Sequence, residues 1–260
     1  MFLTRNDTGA VAHLTMTAPD RLNALSDGML AALTDALTVI GQDAAIRAVI
    51  LSGTGKAFCA GHDLKEMQAG RAAPDKGAAY FHDLFSRCTD LMLQVQRLPQ
   101  PVIAQVHGIA TAAGCQLVAS CDLAVAAVGT KFGVNGVNIG LFCSTPMVAL
   151  TRNIGAKAAF EMLVTGTFID TDEAIRLGLI NRAVIYENLA TETMVLAQTI
   201  AGKLGSAVRV GKRAFYEQAG LPIEAAYAHA GAVMLGNMLQ SDTAEGIAAF
   251  LEKRPAGWTQ

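Results

Sequence analysis

Residues 104–122, AQVHGIATAAGCQLVASCD, decide how this chain is read. The stretch opens as the end of an apolar run, PVIAQV, which has the length and composition of a short buried strand. The run breaks at Gly108. From Ala110 to Ala119 the side chains turn small, as at the start of a buried helix. A strand that ends in glycine and feeds a helix leaves the helix's first N–H groups unpaired, at the positive end of its dipole. Such groups can hold a ligand oxygen that gains negative charge. Small side chains let the ligand approach the backbone itself.

A second stretch of the same kind lies upstream. Residues 53–67, GTGKAFCAGHDLKEM, follow an apolar strand at 48–52 and again place Gly and Ala where backbone must approach something. Gly53-Thr54-Gly55-Lys56 is not a phosphate loop of the nucleotide-hydrolase kind, because Ala57 replaces the Ser/Thr and the glycine spacing is wrong. Together the two stretches resemble the paired signatures of the crotonase (enoyl-CoA hydratase/isomerase) superfamily. These are AF-x-AG-x-DL-x-EM, then a Gly/Ala-rich turn with C-x-L-x-x-x-CD. RLNALS at 21–26, IDTDEAIRLGLI at 169–180 and AAFLEKR at 248–254 resemble further family segments, so the likeness covers nearly the whole chain.

Composition sets the bounds. The 260 residues allow a sizeable core, and 52% hydrophobic against 16% charged content exceeds the balance of an average soluble domain. No run reaches the ~18 apolar residues of a membrane span, so the apolar surplus suggests buried subunit surfaces. The net charge is −2 with no basic block, which argues against nucleic acid and anionic membrane as partners. The first ten residues, MFLTRNDTGA, carry neither a signal-peptide core nor an Arg/Ser-rich presequence, so a cytoplasmic protein is the default expectation. Cys59, Cys88, Cys115, Cys121 and Cys143 show no C-x-x-C spacing, as in a reduced compartment. The five histidines are scattered, and no metal site is expected.

Along the chain, 11–17 reads as an edge or hairpin strand. Ser26 reads as the N-cap of a helix carrying Leu30, Leu33, Leu37 and Ile40, stopped at Gly41. Strand 48–52 follows, then a loop-like and mobile 69–77. A long apolar stripe from Phe81 to Leu98 is ended by Pro99 and Pro101. Strand 102–106, the junction and strand 123–127 come next, then an irregular loop over 129–147. Helices follow at 156–163, 170–177, 189–204 and 208–219, and over much of 223–251. Strands alternate with helices to about residue 185 and only helices follow, which by itself reads as α/β, then α. The resemblance implies more: a spiral of ββα repeats, then a C-terminal helical trimerisation region. On that basis the chain divides into a core carrying an acyl-CoA site, 1–195, and a helical region, 196–260.

The resemblance also implies the chemistry. The carbonyl of an acyl-CoA thioester would sit between the backbone N–H groups of His62 and Ala113. Ala113 can replace the family's usual Gly if its φ permits. Two such donors in a dry site each contribute roughly 3–4 kcal/mol toward an enolate or tetrahedral intermediate. Lys56, Ala57, Ala60 and Leu64 would fold around coenzyme A. Lys253 would reach its phosphate from a neighbouring subunit of a homotrimer or dimer of trimers. Coenzyme A enters as part of the substrate, and no separate cofactor is implied.

A hydratase also needs two carboxylates, and both family positions have changed. They are Gln116 and Gly136 here. Losing one general acid or base costs about 10²–10⁴ in rate, so efficient hydration is not expected. Asn135 and Asn138 could donate to an enolate or carboxylate. The His62 side chain could titrate near neutrality. Asp63 is read as fixing its loop, Asp122 as a cap or salt-bridge partner, and Cys143 as a buried inert thiol rather than a nucleophile. Decarboxylation of a malonyl-type ester, isomerisation and thioester hydrolysis need only the two amides and weak polar help. The alternatives are a non-catalytic acyl-CoA-binding trimer and, less favoured, a purely structural assembly protein.

Overall fold

A computed structural model describes residues 1–259. The chain opens with a hairpin, β1 (Leu3–Thr8) and β2 (Val11–Met16), and Ser26 caps α1 (Asp27–Gln42) by accepting from the Met29 N–H. β3 (Ala48–Gly53), α2 (Leu64–Gly70) and α3 (Ala78–Arg97) follow. Then come β4 (Val102–Val106), β5 (Ile109–Thr111), α4 (Ala113–Ser120), β6 (Leu123–Ala127) and β7 (Lys131–Gly133). The remainder is α5 (Ser144–Leu150), α6 (Ala156–Thr165), α7 (Thr171–Leu177), β8 (Arg182–Val184), α8 (Leu189–Ala201), α9 (Gly205–Gln218), α10 (Ile223–Met238) and α11 (Ser241–Leu251).

The main sheet runs β1-β2-β3-β4-β6-β8, antiparallel in the hairpin and parallel from β2 onward. Parallel strands have both faces covered. Val49 and Leu51 pack with the buried sides of α1, α3 and α4, while Ala48 and Ile50 pack with Leu189 and Ala197 of α8. β5 and β7 form a second, two-stranded parallel sheet. β3, β4 and β6 are each followed by a glycine with positive φ (Gly55, Gly108, Gly129), after which the chain enters the second layer. Gly108 is held there by space as well: a Cβ would sit 2.0 Å from the Lys56 carbonyl oxygen. Strand, glycine corner, short strand and helix recur, and this is the expected ββα spiral with a helical C-terminal region.

One local expectation is narrowed and two change. Of the two readings of 11–16, edge or hairpin, the hairpin holds: the strand is paired on both sides, and the edge is the polar β1, LTRNDT, whose exposure hides any alternating pattern. The 69–77 stretch is helical to Gly70 and then a run of hydrogen-bonded turns, with the Arg71 guanidinium 5.2 Å over the Phe81 ring. The 129–147 stretch holds β7, a 3-10 turn at Asn135–Ile139 and the start of α5. Position 195/196 falls inside α8, which covers the sheet. Among the described residues no helix is long and apolar enough to cross a membrane.

Candidate functional site

The spiral zips the two signature stretches together. The Phe58 N–H donates to the His107 carbonyl (3.0 Å), Cys59 N–H to Ile109 (3.2 Å) and Thr111 N–H to the Cys59 carbonyl (3.0 Å), so 58–60 runs beside β5. No side chain fits between them at Gly114, where a Cβ would stand 2.2 Å from the Cys59 carbonyl oxygen. One turn of chain later, a Cβ at Gly61 would lie 3.2 Å from the Ala113 nitrogen. Residues 61–62 and 112–113 are therefore neighbours.

Between β5 and α4 the backbone is strained. Ala112 has φ 49° and ψ −120°, a conformation that side-chain-bearing residues adopt at a cost of about 1–3 kcal/mol. Its own groups are tied at both ends: N–H to the Gly133 carbonyl (2.9 Å), and carbonyl to the Gln116 N–H (3.0 Å). Ala113 is the first residue of α4, where no helix carbonyl reaches its N–H, and that N–H meets no acceptor among the described residues. The His62 N–H, on the adjoining loop, meets none among the described residues either. The left-handed residue is Ala112, not Ala113, so the condition on the φ of Ala113 is met.

The His62 ring leans edge-on against Phe85 at 5.8 Å, with Nδ1 3.4 Å from the Leu25 carbonyl oxygen. Its Nε2 is buried without a partner, and burial, aided by the Arg87 charge, holds the imidazole below its ordinary pKa. Asp63 caps α2 by accepting from the Lys65 and Glu66 N–H groups, and it pairs with Arg21 at 3.2 Å. It fixes the loop, as expected.

Gln116 is buried on α4, and its Oε1 has no partner. Gly136 has been closed over: a Cβ would stand 2.2 Å from the Leu141 carbonyl oxygen and 2.9 Å from the Cys143 sulfur. Asn135 accepts from the Thr111 hydroxyl at 2.6 Å through Oδ1, which ties it to the residue before Ala112. Asn138 instead faces the Gly166 carbonyl at 3.4 Å, which engages the amide expected to serve an enolate. Burial raises the Cys143 thiol and pushes Cys115 up to about 12, so both stay protonated and weakly nucleophilic.

The residues expected around coenzyme A are spread over one loop and one terminus. Ala57 is buried, Ala60 is half-buried with its N–H on the Leu22 carbonyl, and Lys56 and Leu64 are exposed. Lys253 stands exposed just past α11 with φ 57°, and nothing in the single chain brings it to that loop. Three groups escaped the sequence reading. Asn23 is fully buried and braces the loop through the Thr54 and Ala57 carbonyls, at 2.8 Å each. Glu66 accepts from the Asp27 N–H at 2.8 Å. Lys212 of α9 reaches Asp122 at 2.6 Å, and Tyr216 donates to the same carboxylate at 2.9 Å. Only the RLNALS segment hinted at the first; the partners of the others lie 39 and 90 residues away.

A coiled parallel sheet with a second strand layer, and two loops zipped at its rim to leave a pair of open amides, defines a protein of the crotonase fold. The chain belongs to the enoyl-CoA hydratase/isomerase family, whose model matches residues 6–260. It is 41% identical over 256 residues to the mouse protein "Enoyl-CoA hydratase domain-containing protein 3, mitochondrial", covering 98% of this chain and 83% of that one. A crystal structure of enoyl-CoA hydratase from Mycobacterium smegmatis matches with a TM-score of 0.95 at 54% identity, covering 100% of both chains. That of human enoyl-CoA hydratase domain-containing protein 3 matches at 0.94 and 38% identity, covering 99% of this chain and 100% of the other.

The cytoplasmic expectation is corrected by these relatives, since the mouse, rat and human proteins are named as mitochondrial. It rested on the first ten residues alone. A compartment address is read separately from the folded body, so neither composition nor core fixes it.

Proposed function

We propose that the chain binds an acyl-CoA thioester with its carbonyl oxygen between the N–H groups of His62 and Ala113, and stabilises there an enolate or tetrahedral intermediate. The observation that carries this reading is the pair of neighbouring amides without acceptors, one delivered by a strained peptide. Strain kept at such a place fits a preorganised donor, because donors already aimed at the developing charge need no rearrangement during reaction. Asn135, tied to Thr111 at 2.6 Å, would add a third donor. Coenzyme A itself would lie along Lys56, Ala57, Ala60 and Leu64, with Lys253 supplied by a neighbouring copy.

Efficient hydration is not its reaction. Gln116 cannot serve as a useful base, and the Gly136 position has no room for an acid. Decarboxylation, isomerisation of a reactive ester or thioester hydrolysis remains, within acyl-CoA metabolism. The closed Gly136 pocket also favours a second reading, a non-catalytic acyl-CoA-binding protein. For either, assembly into a homotrimer or dimer of trimers is supported by the exposed Tyr227, Met234, Leu235 and Leu239 of α10 and its end, and by Phe250 of α11. A helix face that apolar requires a partner surface. The 1–195 portion would then hold the thioester and the 196–260 portion the assembly.

Incubation with crotonyl-, malonyl- and acetoacetyl-CoA, beside calorimetry with each ester, tests the proposal. Micromolar binding with turnover of one ester supports the enzyme. Binding with no product from any supports the second reading. Failure to bind every ester removes both.

A further inference from the structure

A cavity of about 200 Å³ lies between α3, α4 and α5. Its polar lining comes from Thr89 and Gln96 of α3, Gln116 and Ser120 of α4, Thr145 of α5, and Arg152 in the turn behind α5. Gln116 marks the end nearest the open amides. It lies three residues after Ala113, so the two share a helix face, and the backward tilt of Cβ carries its amide toward the helix start. It is only 5% exposed, and its Oε1 has no donor. Arg152 marks the other end. The next residue, Asn153, donates to the Ala119 and Ala149 carbonyls at 2.8 Å each, which pins the turn to the far end of α4. From Gln116 to Ser120 the helix advances about 6 Å.

The Arg152 guanidinium makes one hydrogen bond, to the Val148 carbonyl at 2.9 Å, and pairs with no carboxylate among the described residues. No Asp or Glu lines the cavity. A void of about 150 Å³ holds benzene, so this one has room for a short acyl chain. A bare alkyl chain would strip water from the Gln116 Oε1 and leave the guanidinium unanswered. A chain that ends in an anion answers the guanidinium with charge-assisted, fork-shaped hydrogen bonds, and it keeps water at hand for Gln116.

We infer that this cavity receives the acyl group, and that the chain selects a short acyl-CoA whose far end is a carboxylate held by Arg152. The inference rests on the thioester reading above and adds the substrate class to it. The test is calorimetry on the full chain with glutaryl-CoA, pentanoyl-CoA of the same length, and free coenzyme A. Glutaryl-CoA is expected to bind about tenfold more tightly than pentanoyl-CoA at low salt, with the gap narrowing as salt screens the exposed guanidinium. Arg152→Gln removes the gap by weakening glutaryl-CoA rather than by strengthening pentanoyl-CoA, and Arg152→Lys, which keeps the charge, keeps a preference. Equal binding of the two esters by the unaltered protein overturns the inference and spares the thioester site. So does a preference that survives in Arg152→Gln, or one lost equally in both variants, which would assign it to packing. No binding of either ester sinks the thioester reading and this inference with it.

Discussion

A Cβ at Gly136 would meet the Leu141 carbonyl, and the Leu141 N–H donates to the Gly136 carbonyl at 2.9 Å, so this position is sealed from both directions. The space beside Gly136 is thus filled by the packed 135–143 loop. Placing glutamate at 136 requires the 135–143 loop to move, and overpacking of that kind costs about 1–3 kcal/mol. Gly136→Ala is expected to lower the unfolding free energy measured in denaturant melts by about 1–3 kcal/mol. The double variant Gln116→Glu/Gly136→Glu is expected to gain no crotonyl-CoA hydration. Hydration restored at a rate typical of a hydratase would show that the loop yields.

Ala112 reverses the usual rule for Ala→Gly. In ordinary helix that change costs about 1 kcal/mol, but at φ 49° glycine relieves strain of comparable size. Ala112→Gly is expected to be neutral or stabilising in urea melts, and Ala113→Gly, one residue inside α4, to lose about 0.5–1 kcal/mol. Equal losses at both positions would mean that the peptide between β5 and α4 is not strained.

Lys212 and Asp122 tie α9 to the junction helix and the core sheet. Burial pushes the Asp122 carboxyl up and the Lys212 ammonium down, each against the pull of its partner. The ammonium also meets the Val95 and Gln100 carbonyls at 2.9 and 3.0 Å, and the carboxylate accepts the Val102 N–H. Removing one charge strands the other, so Lys212→Met is expected to cost about 3–5 kcal/mol. The double variant Lys212→Met/Asp122→Asn should cost less than the sum of its singles, as a double-mutant cycle by urea melting would measure. Additive losses would show that the two groups do not act as a pair.

How much of this was legible follows from what each feature depends on. The stretches 53–67 and 104–122 were legible because backbone must approach backbone there, and at the closest points only glycine fits. Gly114 against Cys59 and Gly61 against Ala113 are the contacts behind that spelling. β1 was not legible because its residues face water at an edge. The closure of Gly136 depends on the Leu141 backbone, which carries no residue signature. The Arg152 end of the cavity arises from a turn pinned by Asn153 to Ala119, 34 residues away in sequence. Lys212 reads in sequence as one more polar residue of an amphipathic helix, and nothing local marks it as buried.

The imidazole of His62 gives a pH signature separable from its amide. Burial lowers its pKa in the folded chain below the ordinary 6.5, as burial also does for His13. The folded state therefore binds a proton less readily than the unfolded chain. Above about pH 6.5 both states hold neutral rings and stability is full; as pH falls the unfolded state gains protons first, and stability declines until the folded pKa is passed. The Tm is expected to fall between pH 7 and pH 5, with proton uptake on unfolding. His62→Gln should shallow that slope and leave His13 to supply the rest, while the residue 62 amide still binds acyl-CoA esters within a few-fold of the unaltered protein. A steeper acid loss in His62→Gln would mean that the ring is better charged than neutral in its pocket. Abolished ester binding with an unchanged Tm would move the essential contact from the amide to the side chain.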